Sequence, residues 1–366
     1  MEFILALVGP VVVAIAAKMY FGREISKRET VAQIGIGVAF GFLVSYFIAM
    51  GQLSDTEVIT GNVVKKHRVE DSYEESYDCN CRTVTTGSGD SKTTSTVCDT
   101  CWRTIYTVDW YLGTTIGRID IASKESEWRS VWNSVNPRAY LDAKVGEACS
   151  RTRSYQNYIL ASPDSLFNSS EFRNKSFDSI IPAYPRLYSI YKMKHALTRD
   201  GAVPSGDVQK WTHQIREHLK VRNATTEPNV LFVFTKSTDR NFRYALERNW
   251  LGGKKNDLIV VVGTSVYPNV DWVEVVTLGG TSGNELTAVK IRDRLEQMVL
   301  EPEAVVKETF SMIDKHFDMK PISDFEYLKD EQQITFWQGF FVVLLSIIAS
   351  IIISIIFARN TLRSNT

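Results

Sequence analysis

Four cysteines stand in one short interval, Cys79, Cys81, Cys98 and Cys101, and four sulfurs delivered by two chain passes have two chemistries open to them. As thiolates they close a tetrahedral zinc site, structural because no position is left for water. Oxidised, they make two disulfides, the state that an extracytoplasmic compartment favours. Zinc held by Cys79, Cys81, Cys98 and Cys101 is the leading expectation and disulfides are the alternative. The insert between the pairs, RTVTTGSGDSKTTSTV, has Thr and Val arms around a Gly-Ser-Gly-Asp turn, which predicts a β-hairpin. A two-stranded hairpin is marginal in water, so the sulfurs must fix its base. Cys149 lies apart and reads as a small buried residue.

Other chemistry is sparse. Gly263-Thr264-Ser265 and the Gly279–Gly283 loop are glycine-rich, but neither is followed by the lysine of a phosphate-binding loop. His195, His213, His218 and His316 fall on expected helices. His213 and His218 are five apart, not the four that would stack them for a metal. Asp109, Asp120, Asp257 and Asp271 could meet near strand ends and bind calcium, although aspartates there are commonly turn residues. No Ser, His and Asp order stands out. The N-x-S/T triplets at Asn168, Asn174 and Asn223 carry weight only in a eukaryotic source.

The elements that position these residues begin and end in a membrane. Phe336–Phe357 has no charged side chain over a run that spans about 33 Å as a helix, enough for a hydrocarbon core of about 30 Å. Phe3–Phe21 and Val31–Met50 are two further apolar runs joined by the polar link GREISKRET, which reads as a helical hairpin. Gly37 and Gly41 form a GxxxG face, expected to pack on Ser346, Ala349 and Ser350 of the last helix. Arg23, Lys27 and Arg28 in the link, with Arg359 and Arg363 in the tail, place both on the cytoplasmic side. Three spans then put residues 52–333 outside the cytoplasm. The 42 basic and 42 acidic side chains cancel, so no global charge argues for nucleic acid.

Between the spans the pattern changes once. Residues 52–165 read as a β-rich subdomain of short strands with Trp102, Trp110, Trp128 and Trp132 as core. A Ser, Asn and Pro-rich loop, 162–185, leads into an α/β subdomain, 166–335. There 186–198, 205–220, 239–250 and 284–300 read as helices, and 229–235, 257–263 and 271–278 as strands. The expected fold class is an α+β membrane protein with three transmembrane helices: 1–51 holds two of them, 336–358 the third and 359–366 a cytoplasmic tail.

Two stretches resemble known families. YDCNCRTV…VCDTCW, YTVDW and SYQNYILASPDSLFN, within 55–167, resemble uncharacterised membrane proteins of bacteriophage and bacterial genomes, whose four cysteines match Cys79, Cys81, Cys98 and Cys101. FRYALERNWLGGKKNDLIVVVG…VDWVEVVTLGG…LTAVKIRDRLEQMVL, within 230–300, is similar to TPM domains, with Leu278-Gly279-Gly280 where that family has Gly-Tyr-Gly. The first resemblance implies a phage or bacterial origin and supplies no activity. The second implies an extracytoplasmic, membrane-tethered domain. The expected function is binding or scaffolding at a cell envelope or virion membrane, with the lipid bilayer and an envelope or virion protein, or a second copy, as partners. The alternative is a tethered phosphatase or other hydrolase in the α/β subdomain.

Overall fold

The structure is a computed structural model describing residues 2–22, 25–86, 93–121, 137–161, 177–188, 191–222, 228–277, 284–319, 321–331 and 335–364. Trp128, Trp132, the Gly87–Asp90 turn, the Gly279–Gly283 loop and Asn168, Asn174 and Asn223 lie outside the described residues.

Helices α1 (Glu2–Phe21), α2 (Lys27–Leu53) and α9 (Phe336–Ser364) pack together. By length and composition, α2 and the Phe336–Arg359 part of α9 can each cross a membrane, and the described apolar part of α1, Val8–Phe21, is shorter. A capping box opens α2: the Ser26 hydroxyl accepts from the Glu29 amide at 3.2 Å, and Glu29 accepts from the Ser26 amide at 2.7 Å. The Lys18 ammonium donates to the Gly22 and Ile25 carbonyls, tying the link that follows α1 back onto the last turn of the helix. Gly37 and Gly41 are both buried. A Cβ on Gly37 would stand 2.5 Å from the Ser350 hydroxyl and 2.8 Å from Pro10, so the absence of a side chain lets three helices meet there. Buried Gln33 donates to the Ser350 carbonyl at 3.3 Å.

Helix α2 runs directly into β1 (Ser54–Thr86). With β2 (Thr93–Thr114), β3 (Gly117–Asp120) and β4 (Ala148–Gln156) it forms an antiparallel sheet in the order β3-β2-β1-β4. The strands are not short. β1 holds 33 residues and β2 holds 22. Val63, Val108, Trp110, Leu112 and Ile119 make a compact core with Cys149. Trp102 is no part of it: it is 64% exposed, against 3% for Trp110. Helix α3 (Arg138–Asp142) precedes β4, and α4 (Tyr158–Ala161) follows it.

The remaining chain is a mixed sheet, β5 (Ala196–Thr198), β6 (Asn229–Thr235), β7 (Asp257–Gly263) and β8 (Trp272–Thr277), parallel except for β8. Helices cover both faces, so β6 and β7 are buried throughout. Alternate residues serve opposite layers: Phe232 and Phe234 meet Trp211 and Ile215 of α5 (Ser205–Leu219) and Phe310 of α8 (Pro302–His316). Leu231 and Val233 meet Phe242, Leu246 and Trp250 at α6 (Phe242–Asn249). Helix α7 spans Glu285–Leu295, and a 3-10 segment, Ile322–Glu331, leads to α9. In place of the expected helix over 186–198, the described residues show an antiparallel bridge between Tyr188 and Lys192, a positive φ of 52° at Tyr191, and the short strand β5. Met193, His195 and Ala196 are buried while Lys194 between them is exposed, so the burial that reads as a helix face in sequence belongs to the approach to an edge strand.

Gly37→Leu is expected to lower stability in detergent by about 1–3 kcal/mol through overpacking. Gly35 is the control, because a Cβ added there meets nothing within 4 Å. Gly35→Leu should therefore stay within about 0.5 kcal/mol of wild type. Thermal melts of both variants check it; equal losses refute the packing argument.

Candidate functional site

From Asp71↔Thr107 to Thr86↔Thr93, β1 and β2 run on as a ribbon with, among the described residues, no third strand and no core residue above Val108. At roughly 3.3 Å per residue this arm reaches about 50 Å beyond the sheet. Two disulfides staple it, Cys79–Cys101 and Cys81–Cys98, with Cα–Cα separations of 5.8 and 4.0 Å. The four cysteines are therefore the disulfide pairs of the alternative reading, and zinc coordination is corrected. Disulfide sulfurs offer no thiolates, and strand geometry keeps the two pairs apart.

That geometry follows from the spacing. On a strand, Cys-x-Cys places both side chains on one face, whereas Cys-x-x-Cys places them on opposite faces. The mismatch is absorbed by a bulge: Cys79 pairs with Asp99 and Arg82 with Val97, so Asn80 and Cys81 together oppose Cys98. Asn80 takes the positive φ of 47° that the extra residue needs, a conformation asparagine tolerates. The register then puts Cys79 and Cys101 on one face and Cys81 and Cys98 on the other. The parity difference between the two motifs was the available signal, and a tetrahedral reading overlooks it.

The arm's surface is aromatic and charged. Tyr73, Tyr77, Trp102 and Tyr106 are exposed. Register places Tyr73 and Tyr77 on one face with Ile105, and Trp102 and Tyr106 on the other, opposite Ser76 and Ser72. Arg103 bonds Glu75 at 2.6 Å and lies 5.3 Å from the Tyr77 ring.

The base of β1 is fixed to the α/β half by buried charge. Glu57 is fully buried and pairs with Arg153 at 2.5 Å and Lys255 at 3.3 Å. Asp55 takes Lys254 as its partner, together with the Tyr155 hydroxyl and the Asn157 amide, each at 3.0 Å. Burial raises the Asp55 carboxyl, but bonds from Lys254 and Asn157 outweigh it and hold it below the usual carboxylate range. Asp257 behind them accepts from Asn229 at 2.8 Å, Tyr184 at 2.9 Å and the Lys254 amide at 2.8 Å. Even so, burial pushes it up to about 6. Asn256 donates to the Val58 carbonyl at 2.8 Å, and Val58 joins the core of the α/β half.

Ligands of open α/β sheets bind at the carboxyl ends of the parallel strands. There Asp200 accepts from Thr235, Thr198 and the Lys236 and Ala202 amides, Asp239 from the Asn241 amide, and Asp271 from the Ser265 amide. These carboxylates hold loops. Asp109, Asp120, Asp257 and Asp271 are not brought together, and among the described residues no group of three or more His, Cys, Asp or Glu could hold a metal. His195 sits beside β5, not on a helix, fully buried with Nδ1 3.0 Å from the Val230 carbonyl. Burial, aided by Arg216, takes its imidazole down to about 4. Burial pushes the Cys149 thiol up to about 11, so it is inert. Comparison with family models, curated proteins and solved structures finds no match for this chain.

Replacing Cys81 and Cys98 together by serine removes one loop closure of about 3 kcal/mol. Amide exchange over the arm is expected to speed up by about a hundredfold while the melting of the α/β half stays unchanged; slow exchange in the variant argues against the staple. A second expectation concerns acid. The His195 imidazole ionises at about 4 when folded and near 6.5 when unfolded, so its contribution is complete above pH 6.5 and is lost as pH falls towards 4. Asp257, raised by burial, acts in the opposite sense over a similar window and masks the loss in wild type. Measured against His195→Asn, wild type should lose about 3 kcal/mol between pH 7 and pH 4. A pH-independent difference between the two melts would refute this.

Proposed function

We propose that the chain is a membrane-anchored binding or scaffolding protein that presents the β-arm to a partner outside the cytoplasm. The observation that carries the reading is the arm itself: a disulfide-stapled, aromatic ribbon that reaches past every core formed by the described residues. Ordering so much backbone without burial costs conformational entropy, which binding can offset and folding alone does not. Three spans, α1, α2 and α9, fix its base to the bilayer, with the basic link and tail in the cytoplasm. Disulfides suit the oxidising side of such a membrane. The likeness of 230–300 to TPM domains agrees with a tethered extracytoplasmic domain, and the likeness of 55–167 to phage and bacterial membrane proteins points to a cell envelope or virion membrane as its place of work.

Two measurements test this. Reporter fusions at Thr60 and Thr366 are expected in opposite compartments, and a common compartment would sink the three-span topology. A photo-crosslinking residue at Trp102 should give one discrete adduct in native membranes, whereas the same residue at exposed Val266 should give none. If position 102 yields no adduct, the arm is not a docking element.

A further inference from the structure

The outer edge of β1 between Glu70 and Asp78 is open. β2 bonds this segment on one side, and among the described residues no strand lies on the other. Every second residue therefore turns its amide and carbonyl towards solvent, a ready template for another strand. Folds usually blunt such edges with charged side chains, lysine above all, with proline or with a covering segment; here the charges are all carboxylates, which repel an acidic strand and admit a basic one. The sequence here, Glu-Asp-Ser-Tyr-Glu-Glu-Ser-Tyr-Asp, contains neither lysine nor proline, and every one of these residues except half-buried Glu75 is exposed.

The side chains along the edge select its occupant. Glu70 is paired with Arg68 and Glu75 with Arg103, but Asp71, Glu74 and Asp78 have no cationic partner among the described residues. Alternation puts Glu74 and Asp78 on the face of Trp102 and Tyr106, and Asp71 on the face of Tyr73 and Tyr77. Both faces thus combine carboxylates with exposed rings, the pairing that attracts lysine and arginine. The imbalance is local: residues 69–109 carry eight acidic against three basic side chains in a chain whose net charge is zero.

A second copy does not supply the missing strand. Two arms side by side would bring like charges together. Of the other edge strands among the described residues, β5 is three residues long, β3 is four long with its Arg118 paired to Asp120, and β8 carries Glu274 and no basic residue. β4 has Arg151 and Arg153, but these are engaged by the Ile116 carbonyl and by Glu57.

We propose that the open edge of β1 over Glu70–Asp78 receives an extended, Lys- and Arg-rich segment of a partner protein as a third strand. Main-chain bonds hold the segment, and the acidic, aromatic flanks choose its charge. The proposal rests on the arm being a docking element and names the chemistry of what docks.

The test uses the full chain in nanodiscs of zwitterionic lipid and a labelled twelve-residue peptide of alternating Lys and Thr, with a Glu and Thr peptide as control. The basic peptide should bind, at least tenfold more weakly at 200 mM than at 50 mM salt, and should slow amide exchange within 70–78. Glu74→Lys combined with Asp78→Lys, both at exposed positions, should lower its affinity at least tenfold and let the acidic peptide bind. Attraction without slowed exchange would overturn strand addition, and equal binding by the reversed variant would overturn the charge selection. Slowed exchange that rises with protein concentration and needs no peptide would overturn the choice of occupant in favour of a second copy. A discrete adduct at position 102 together with failure of the basic peptide would defeat this proposal alone and leave the docking role standing.

Discussion

A strand is ordered where a neighbouring strand pairs at least one of its edges, and β1 must find such a neighbour along all 33 residues. It does so by changing neighbours. Up to Asn62 it pairs with β4, and from Val63 onward it pairs with β2. At the crossing, the Asn62 carbonyl accepts from the Thr115 amide, the Val63 amide donates to Glu147, and the Val63 carbonyl accepts from Gly146. Gly61 allows the approach, because Thr115 and Ile116 occupy the space a side chain would need. The small core, the joint to the α/β half and the arm are all arranged along this one strand.

The joint shows why the strand's base must be rigid. A buried carboxylate such as Glu57 costs several kcal/mol of desolvation unless its partners are well placed. Arg153 comes from the neighbouring strand, but Lys255, like Lys254 beside Asp55, comes from the turn before β7. Charge on β1 is therefore tolerable only when the α/β half is docked, and the two halves hold each other in register through β1.

The apolar helices and the buried strands β6 and β7 were legible in sequence because their signals are long and of one kind. The edge strand β5 was not, since three residues preceded by lysines give too little pattern to outweigh a helical reading of 186–198. Trp102 and Trp110 look alike in sequence and differ in fate because the core ends between them, a boundary set by where β3 stops covering β2. The cysteines were legible as a constellation. Their pairing was not, because it turns on a bulge at Asn80 that neither motif shows when read separately.

Leu53 closes α2 and Ser54 opens β1 with no intervening loop. The Leu53 carbonyl also accepts from the Asn157 amide at 2.6 Å, and Gln52 bonds Gln338 of α9 at the same distance. Mechanically, then, the helix and the ribbon are joined by unbroken backbone at this clasp, just before β1 is anchored to the α/β half. A load on the tip is therefore shared between two anchors, the covalent backbone into the three-helix bundle and the charged joint that holds β1 to the α/β half.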